Sequence, residues 1–186
     1  MTGSFPDDDL VEAVNELGAA EWTGIAHRHT RHGRDPLSGE GARRNGGRWN
    51  PVGRPTVYLA EPAETCVGEF RRMAEATGTY PESLIRRGWQ LHRIDVTALR
   101  PVLDLRSADA LRHVGLDLED IGDDDVTACQ AVGEAAHFLA FAGLVAPSAT
   151  GSGVVIAVFE DRVQLGQLAV LGSEPLNVAT YERYSR

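Results

Sequence analysis

The chain has 186 residues and no lysine; all 18 of its basic residues are arginine. That absence excludes chemistry built on a side-chain amine: a Schiff base, a pyridoxal phosphate anchor, or the lysine of a phosphate-binding P-loop. Arginine favours forked recognition of phosphate or carboxylate instead. Cysteine is almost as scarce. Cys66 and Cys129 both fall in helix-like segments with no metal-ligand spacing, so the expectation is two reduced, buried thiols in a cytoplasmic protein. No apolar run approaches the roughly 20 residues a membrane helix needs. Met1 to Asp9 is acidic and carries no apolar signal core.

What is present describes an ordinary globular domain. The length makes a single domain over residues 1–186 the default, with an N-terminal helix in 1–20 and a core over 22–175. The hydrophobic fraction is 42%, far from disorder. The net charge of −9 argues against direct nucleic-acid binding. That charge is unevenly spread. Ile25 to Arg54 carries seven arginines against Asp35 and Glu40, a net +5, so the remainder sums to −14. An acidic protein with one basic segment suggests a local site for a small anion; a solvated, arginine-rich loop is the plainer alternative.

The most informative stretch runs from Gly46 to Arg71. Gly46-Gly47 permits close backbone approach to a ligand, Arg48 offers a guanidinium, and Trp49 beside Asn50 reads as a pocket floor or loop anchor. Thr56 to Ala60 reads as a strand with Tyr58 on one face. Pro62 opens a helix, where proline is tolerated. On that helix Cys66, Val67, Phe70 and Met73 share a face, and Glu69 sits at its edge. A partly desolvated carboxylate near arginines is either a catalytic group or the partner of a structural arginine.

The rest of the chain frames this stretch. Asp7 to Leu17 reads as a helix with aspartates at its start. Trp22 to Thr30 reads as a strand; Arg28 within it either points inward and needs an anion or lies on the surface. His27, His29 and His32 are a weak metal signal, since no Cys or carboxylate follows at ligand spacing, and no metal is expected. Arg31 to Arg54 reads as a long loop. Gly78 to Gly88 is a connector with a short helix at most, and Trp89 to Val96 and Pro101 to Leu105 are two strands. Ser107 caps a helix through Val114. The acidic Asp117 to Asp125 reads as a loop and N-cap, followed by a buried helix from Thr127 to Phe141 that Gly143 ends. Leu144 to Ser148 and Val154 to Phe159 are strands. Ser148 lacks a nucleophile elbow, so it suits hydrogen bonding to a ligand rather than attack. Gln164 to Tyr184 is a further strand or edge segment and a short tail.

Taken in order, Arg28, Leu37-Ser38-Gly39-Glu40-Gly41-Ala42, Gly47-Arg48-Trp49-Asn50, Tyr58-Leu59-Ala60, Glu69 and Val145-Ala146-Pro147-Ser148 resemble the RES-domain family, named for an arginine, a glutamate and a serine. The resemblance runs from about Trp22 to the C-terminal region. Gly122-Asp123-Asp124 and Cys129-Gln130-Ala131-Val132-Gly133 are most similar to the mycobacterial branch, whose toxin degrades NAD by phosphorolysis. The resemblance implies an α/β (α+β) fold similar to ADP-ribosyltransferases, with central mixed sheets flanked by helices and NAD in a central cleft. It implies no prosthetic group; NAD+ and phosphate are substrates, and a cognate Xre-type antitoxin covers the cleft. Carried over, Arg28 and Arg48 hold the pyrophosphate or the attacking phosphate, with Trp49 and Asn50 beside them. Tyr58 packs on the nicotinamide or its ribose, and Glu69 stabilises the cationic ribosyl transition state. The family serine matches Ser148 or Thr127. His27 stands where a tyrosine often precedes the arginine. The alternatives keep the fold and change the acceptor, to water in a glycohydrolase or to a protein in a mono-ADP-ribosyltransferase, or remove the chemistry and leave a nucleotide- or partner-binding domain.

Overall fold

In a computed structural model, residues 6–185 are described; the N-terminal stretch from Met1 to Phe5 lies outside them. Helix α1 (Asp8–Leu17) is capped by Asp7, whose carboxylate accepts from the amides of Asp9 and Leu10. Strand β1 (Ala20–Arg31) follows, then α2 (Glu40–Asn45), β2 (Thr56–Glu61) and α3 (Ala63–Ala76). Next come α4 (Pro81–Ile85), β3 (Trp89–Asp104), α5 (Ala108–His113), α6 (Leu118–Gly122) and α7 (Thr127–Phe138). The chain ends with β4 (Gly143–Pro147), β5 (Val154–Phe159), a 3-10 turn at Glu160–Arg162, β6 (Leu168–Pro175) and α8 (Val178–Tyr184). This is a mixed α/β fold.

Several segments differ from the sequence expectation. The Arg31 to Arg54 stretch holds a helix, α2, which Arg43 and Arg44 stabilise by closing on Glu40 within one turn. The acidic stretch holds α6, built by a capping box in which Asp117 and Asp120 exchange side-chain and backbone bonds. The two strands expected around Pro101 are one, β3, bent where Ala98 adopts a left-handed φ of 48°. Helix α7 stops at Phe138, where Ala140 turns the chain at φ 63°, and Gly143 opens β4 instead of ending the helix. The tail contains α8, capped by Asn177.

The sheet order is β1-β2-β5-β4-β3-β6, and β1 also pairs with β3. Five strands thus close on themselves, with β6 as an outer edge. The closure is uneven. β1 and β3 run antiparallel from Ala20↔Val102 to Arg31↔Trp89, whereas β1 and β2 meet only at His27↔Ala60. β3 and β4 are parallel; the other pairs are antiparallel. One apolar cluster packs α1, α5, α6 and α7 against β4 and β5, with Leu103, Leu111, Leu144 and Phe159 at its centre. A second joins Val67 and Phe70 of α3 to Leu84, Ile85 and Leu176. Where β1 and β2 barely touch, polar side chains reach open space between the layers.

Candidate active site

A cleft of about 540 Å³ opens there, between the ends of β1 and β2, the loop after α2, and α3. This is the size of an ordinary small-molecule pocket. Arg28, Arg48, Trp49, Tyr58 and Glu69 all line it. Four elements place these five residues, with Arg48 and Trp49 sharing the loop after α2, and the way each is tied down decides what it can do.

Tyr58 stands on β2, and its hydroxyl accepts from the Trp49 amide (2.8 Å) and donates to Asn50 Oδ1 (2.8 Å). Burial raises its pKa well above the usual phenol value, so it stays a neutral phenol. Its ring packs on Gly47, where a Cβ would come within 2.5 Å of the hydroxyl oxygen; this position accepts only glycine. Asn50 is fully buried, and its amide nitrogen donates to the carbonyls of Ala42 (3.1 Å), Pro51 (2.9 Å) and Arg54 (3.1 Å). Trp49 is only 1% exposed and belongs to the apolar core. Its carbonyl lies against α7 so closely that a Cβ at Gly133 would sit 1.9 Å from it. Gln130 pins the same loop from α7 by donating to the carbonyls of Gly47 (2.9 Å) and Asn50 (3.2 Å). The loop anchor expected at Trp49 is therefore an assembly, with Asn50, Tyr58 and Gln130 holding the backbone.

The two arginines are engaged by backbone. Arg28 donates to the carbonyls of Pro36 (2.6 Å) and Ser38 (2.9 Å), which ties the start of the α2 loop to β1. Burial pulls its pKa below the usual guanidinium value. Arg48 donates to the carbonyls of Asp120 (3.0 Å) and Asp123 (2.7 Å) at the C-terminal end of α6. Each guanidinium has five N–H donors, so some remain for a ligand.

Glu69 differs. It is half-buried on α3, and its Oε1 accepts a short 2.5 Å bond from the Ser148 hydroxyl. Its other oxygen accepts no hydrogen bond from any described residue. Ser148, 4% exposed, is itself fixed: its oxygen accepts from the Thr150 amide (3.1 Å) and lies 2.9 Å from the Thr150 hydroxyl. The loop after β4 that carries them is docked on α3 by Thr65, which donates to Ser152 O (3.1 Å), and by Arg72, which donates to Ala149 O (3.0 Å). Thr127 is elsewhere. It is exposed at the start of α7, its amide donates to Asp125 Oδ1 (2.9 Å), and it is not part of the cleft lining, although the preceding Val126 is.

The sequence reasoning did not assign the apolar end of the cleft, made by His29, Trp89, Met73 and Cys66. Burial lowers the His29 pKa to about 4, so its imidazole is neutral. It meets Phe70 and Trp89 edge-on, with ring centroids 5.2 and 5.5 Å apart. Burial and the Glu69 carboxylate push the Cys66 thiol up to about 12, which leaves it an inert apolar neighbour. The available signal was strand alternation, which puts His27 and His29 on one face of β1.

The RES domain family profile matches residues 21–178. The chain belongs to the RES-domain family. This RES-domain protein is 45% identical over 177 residues to the NAD(+) phosphorylase MbcT of Mycobacterium tuberculosis and to that of Mycobacterium bovis, covering 95% of each chain. Among solved structures it is similar to the crystal structure of the M. tuberculosis MbcT–MbcA toxin–antitoxin complex. The TM-score is 0.90 and the identity 44%, over 96% of this chain and 98% of the other. Among the described residues of the RES-domain protein, no helix is long and apolar enough to cross a membrane.

Proposed function

We propose that the protein is the toxin of a bacterial toxin–antitoxin pair and degrades NAD+ by phosphorolysis, giving nicotinamide and ADP-ribose-1''-phosphate. The observation that carries this reading is Glu69: a single carboxylate on the wall of a nucleotide-sized cleft, with one oxygen aimed by Ser148 and the other left open. Near-full-length likeness to the MbcT phosphorylases supports the same chemistry.

In the reaction the bond between ribose C1 and the nicotinamide nitrogen breaks, and its electron pair neutralises the pyridinium ring. Positive charge develops on the ribose as a phosphate oxygen approaches C1. A fixed carboxylate beside that centre stabilises the charge without needing to reorganise. Glu69 takes this role. The remaining N–H donors of Arg28 and Arg48 suit the diphosphate or the incoming phosphate. Tyr58 offers its ring rather than its hydroxyl, which Trp49 and Asn50 already occupy, and the neutral wall of His29 and Trp89 suits the departing nicotinamide. Ser148 is better supported than Thr127 as the family serine, because it meets Glu69 whereas Thr127 turns to Asp125. A sheet parted around a central cleft fits an ADP-ribosyltransferase-like fold. Two buried unpaired thiols and an NAD substrate fit a cytoplasmic site of action. An Xre-type antitoxin covering the cleft is the partner this reading requires, and the complexed state of the solved relative supports it.

The test is NAD loss by the purified protein, with and without phosphate, alongside Glu69→Gln. Phosphate-dependent loss that the substitution abolishes is the expected result. Loss without phosphate would transfer the reading to a glycohydrolase, and label moving from NAD onto protein would make it an ADP-ribosyltransferase. Intact NAD in the presence of folded wild-type protein would overturn it.

A further inference from the structure

The arginines of this protein fall into two populations. Twelve of the seventeen described pair with a carboxylate or donate to a backbone carbonyl. This includes five of the seven in the basic segment: Arg28, Arg43, Arg44, Arg48 and Arg54. Among the described residues only Arg31, Arg34, Arg86, Arg87 and Arg93 have no such partner.

Four of those five meet at one corner. The β1–β3 ladder ends with Arg31 opposite Trp89, and the next amide, His32, donates to Gly88 O (3.0 Å). Arg34 turns back on Arg31, its amide donating to the Arg31 carbonyl (3.1 Å). Arg86 and Arg87 sit on the facing turn after α4, and all four are exposed. Asp35 in the same turn accepts from the Leu37 amide (2.8 Å) and makes no ion pair with these arginines. Four cations from two distant segments stand together in a protein of net charge −9, and among the described residues none of them forms an ion pair with the neighbouring Asp35 or with Glu82 of α4. Their mutual repulsion is a cost. The corner also borders the cleft: the Arg31 guanidinium lies 5.8 Å from the ring centroid of Trp89, which forms part of the cleft wall.

We infer that this corner of Arg31, Arg34, Arg86 and Arg87 is the docking point for an acidic segment of the partner protein, which is thereby held across the cleft mouth. The inference rests on the reading of the chain as one half of a toxin–antitoxin pair. A short acidic peptide matches four clustered cations. A nucleic acid needs a longer basic track, and the acidic remainder of this surface would repel it. Charge pairing of this kind sets on-rate and specificity and weakens with salt.

The experiment is fluorescence anisotropy of a labelled oligo-glutamate peptide with the full chain, with the double charge reversal Arg86→Glu/Arg87→Glu, and with Arg43→Glu/Arg44→Glu as a control of equal net charge. Binding is expected to weaken about tenfold in the first variant and far less in the control, and to fade between about 0.05 and about 0.5 M NaCl. Equal weakening in both variants, or in neither, overturns the inference. So does a single-stranded oligo-thymidine that binds the wild type more tightly than the peptide and depends on Arg86 and Arg87. NAD turnover measured on the same samples separates the two readings. Absent turnover with Arg86/Arg87-dependent peptide binding removes the phosphorylase and leaves the docking corner standing.

Discussion

Asn50 and Glu69 are both buried or half-buried polar side chains at the same cleft, and they are wired in opposite ways. Asn50 meets Ala42, Pro51, Arg54 and Tyr58, so its amide donates and accepts wholly within the protein. Glu69 has one oxygen on Ser148 and the other on no described residue. A buried polar group with every bond made is scaffold, because removing it leaves partners unpaired in a dry place. A carboxylate with one oxygen held and one open is pre-aimed at something outside the protein. The two residues lie nineteen positions apart in one motif-bearing stretch, and burial alone would not separate their roles.

The largest effect expected from this contrast is on turnover. Glu69→Gln keeps an acceptor for Ser148 and removes the charge, so NAD loss should fall about a thousandfold with the thermal unfolding midpoint nearly unchanged. A variant that unfolds early instead would make Glu69 structural and erase the contrast. Asn50→Ala should behave the other way. It leaves the Arg54 carbonyl and the Tyr58 O–H without a partner, while Ala42 O and Pro51 O keep their backbone amides. The expected cost is about 3 kcal/mol by denaturant unfolding, and the fraction still folded retains chemistry. Unchanged stability in that variant would show the loop wall to be held by Trp49 and Gln130 alone.

Much of this contrast was legible beforehand, and the missing part has a definite physical origin. Periodicity placed Arg28 on a strand, Tyr58 on the next and Glu69 at the edge of an apolar helix face, because those elements bury one side and repeat accordingly. Helix α2 was illegible because none of its six residues is buried; local ion pairs to Glu40 hold it, and hydrophobic patterning does not report them. Helix α6 was read as a loop for a similar reason, since only Ile121 is buried there and the capping box does the rest. The Ser148–Glu69 bond joins residues seventy-nine positions apart. It exists because Thr65 and Arg72 dock the loop after β4 onto α3, and no local signal in a run of small residues gives that. The carbonyl partners of Arg28 and Arg48 were equally hidden, since any residue can supply a carbonyl.

The cleft's apolar end refines the comparison through pH. His29 is neither fully bonded like Asn50 nor open like Glu69; burial lowers its pKa from the usual 6.5 to about 4. Between those two values the unfolded chain takes up a proton that the folded chain refuses. The stability this group contributes is whole above pH 6.5 and is lost as the pH falls toward 4. Burial also lowers His27, His92 and His137, so they add in the same direction. For His29 alone the loss is about 2 kcal/mol once the access of its ring to the cleft is discounted. His29→Phe, measured by urea unfolding at several pH values, should flatten that part of the slope. An unchanged slope would assign the acid sensitivity to the other three.

The smallest effect is expected where the loop wall meets water. Arg54 ends the loop that Asn50 organises, and it grips Glu134 of α7 through two bonds of 2.6 and 2.8 Å. The pair has the forked geometry that makes such contacts strong, but 27% and 30% of the two side chains remain exposed. Solvent therefore screens it, and a double-mutant cycle with Arg54→Met and Glu134→Gln should return a coupling of about 1 kcal/mol, well below the cost at Asn50. The distinction being tested is dryness. Asn50 and Arg54 hold the same loop with comparable numbers of bonds, and only Asn50 is sealed from water. A coupling as large as the Asn50 effect would mean that bond number, not burial, sets the rigidity of this wall, and Arg54 would then belong to the scaffold on the same terms as Asn50.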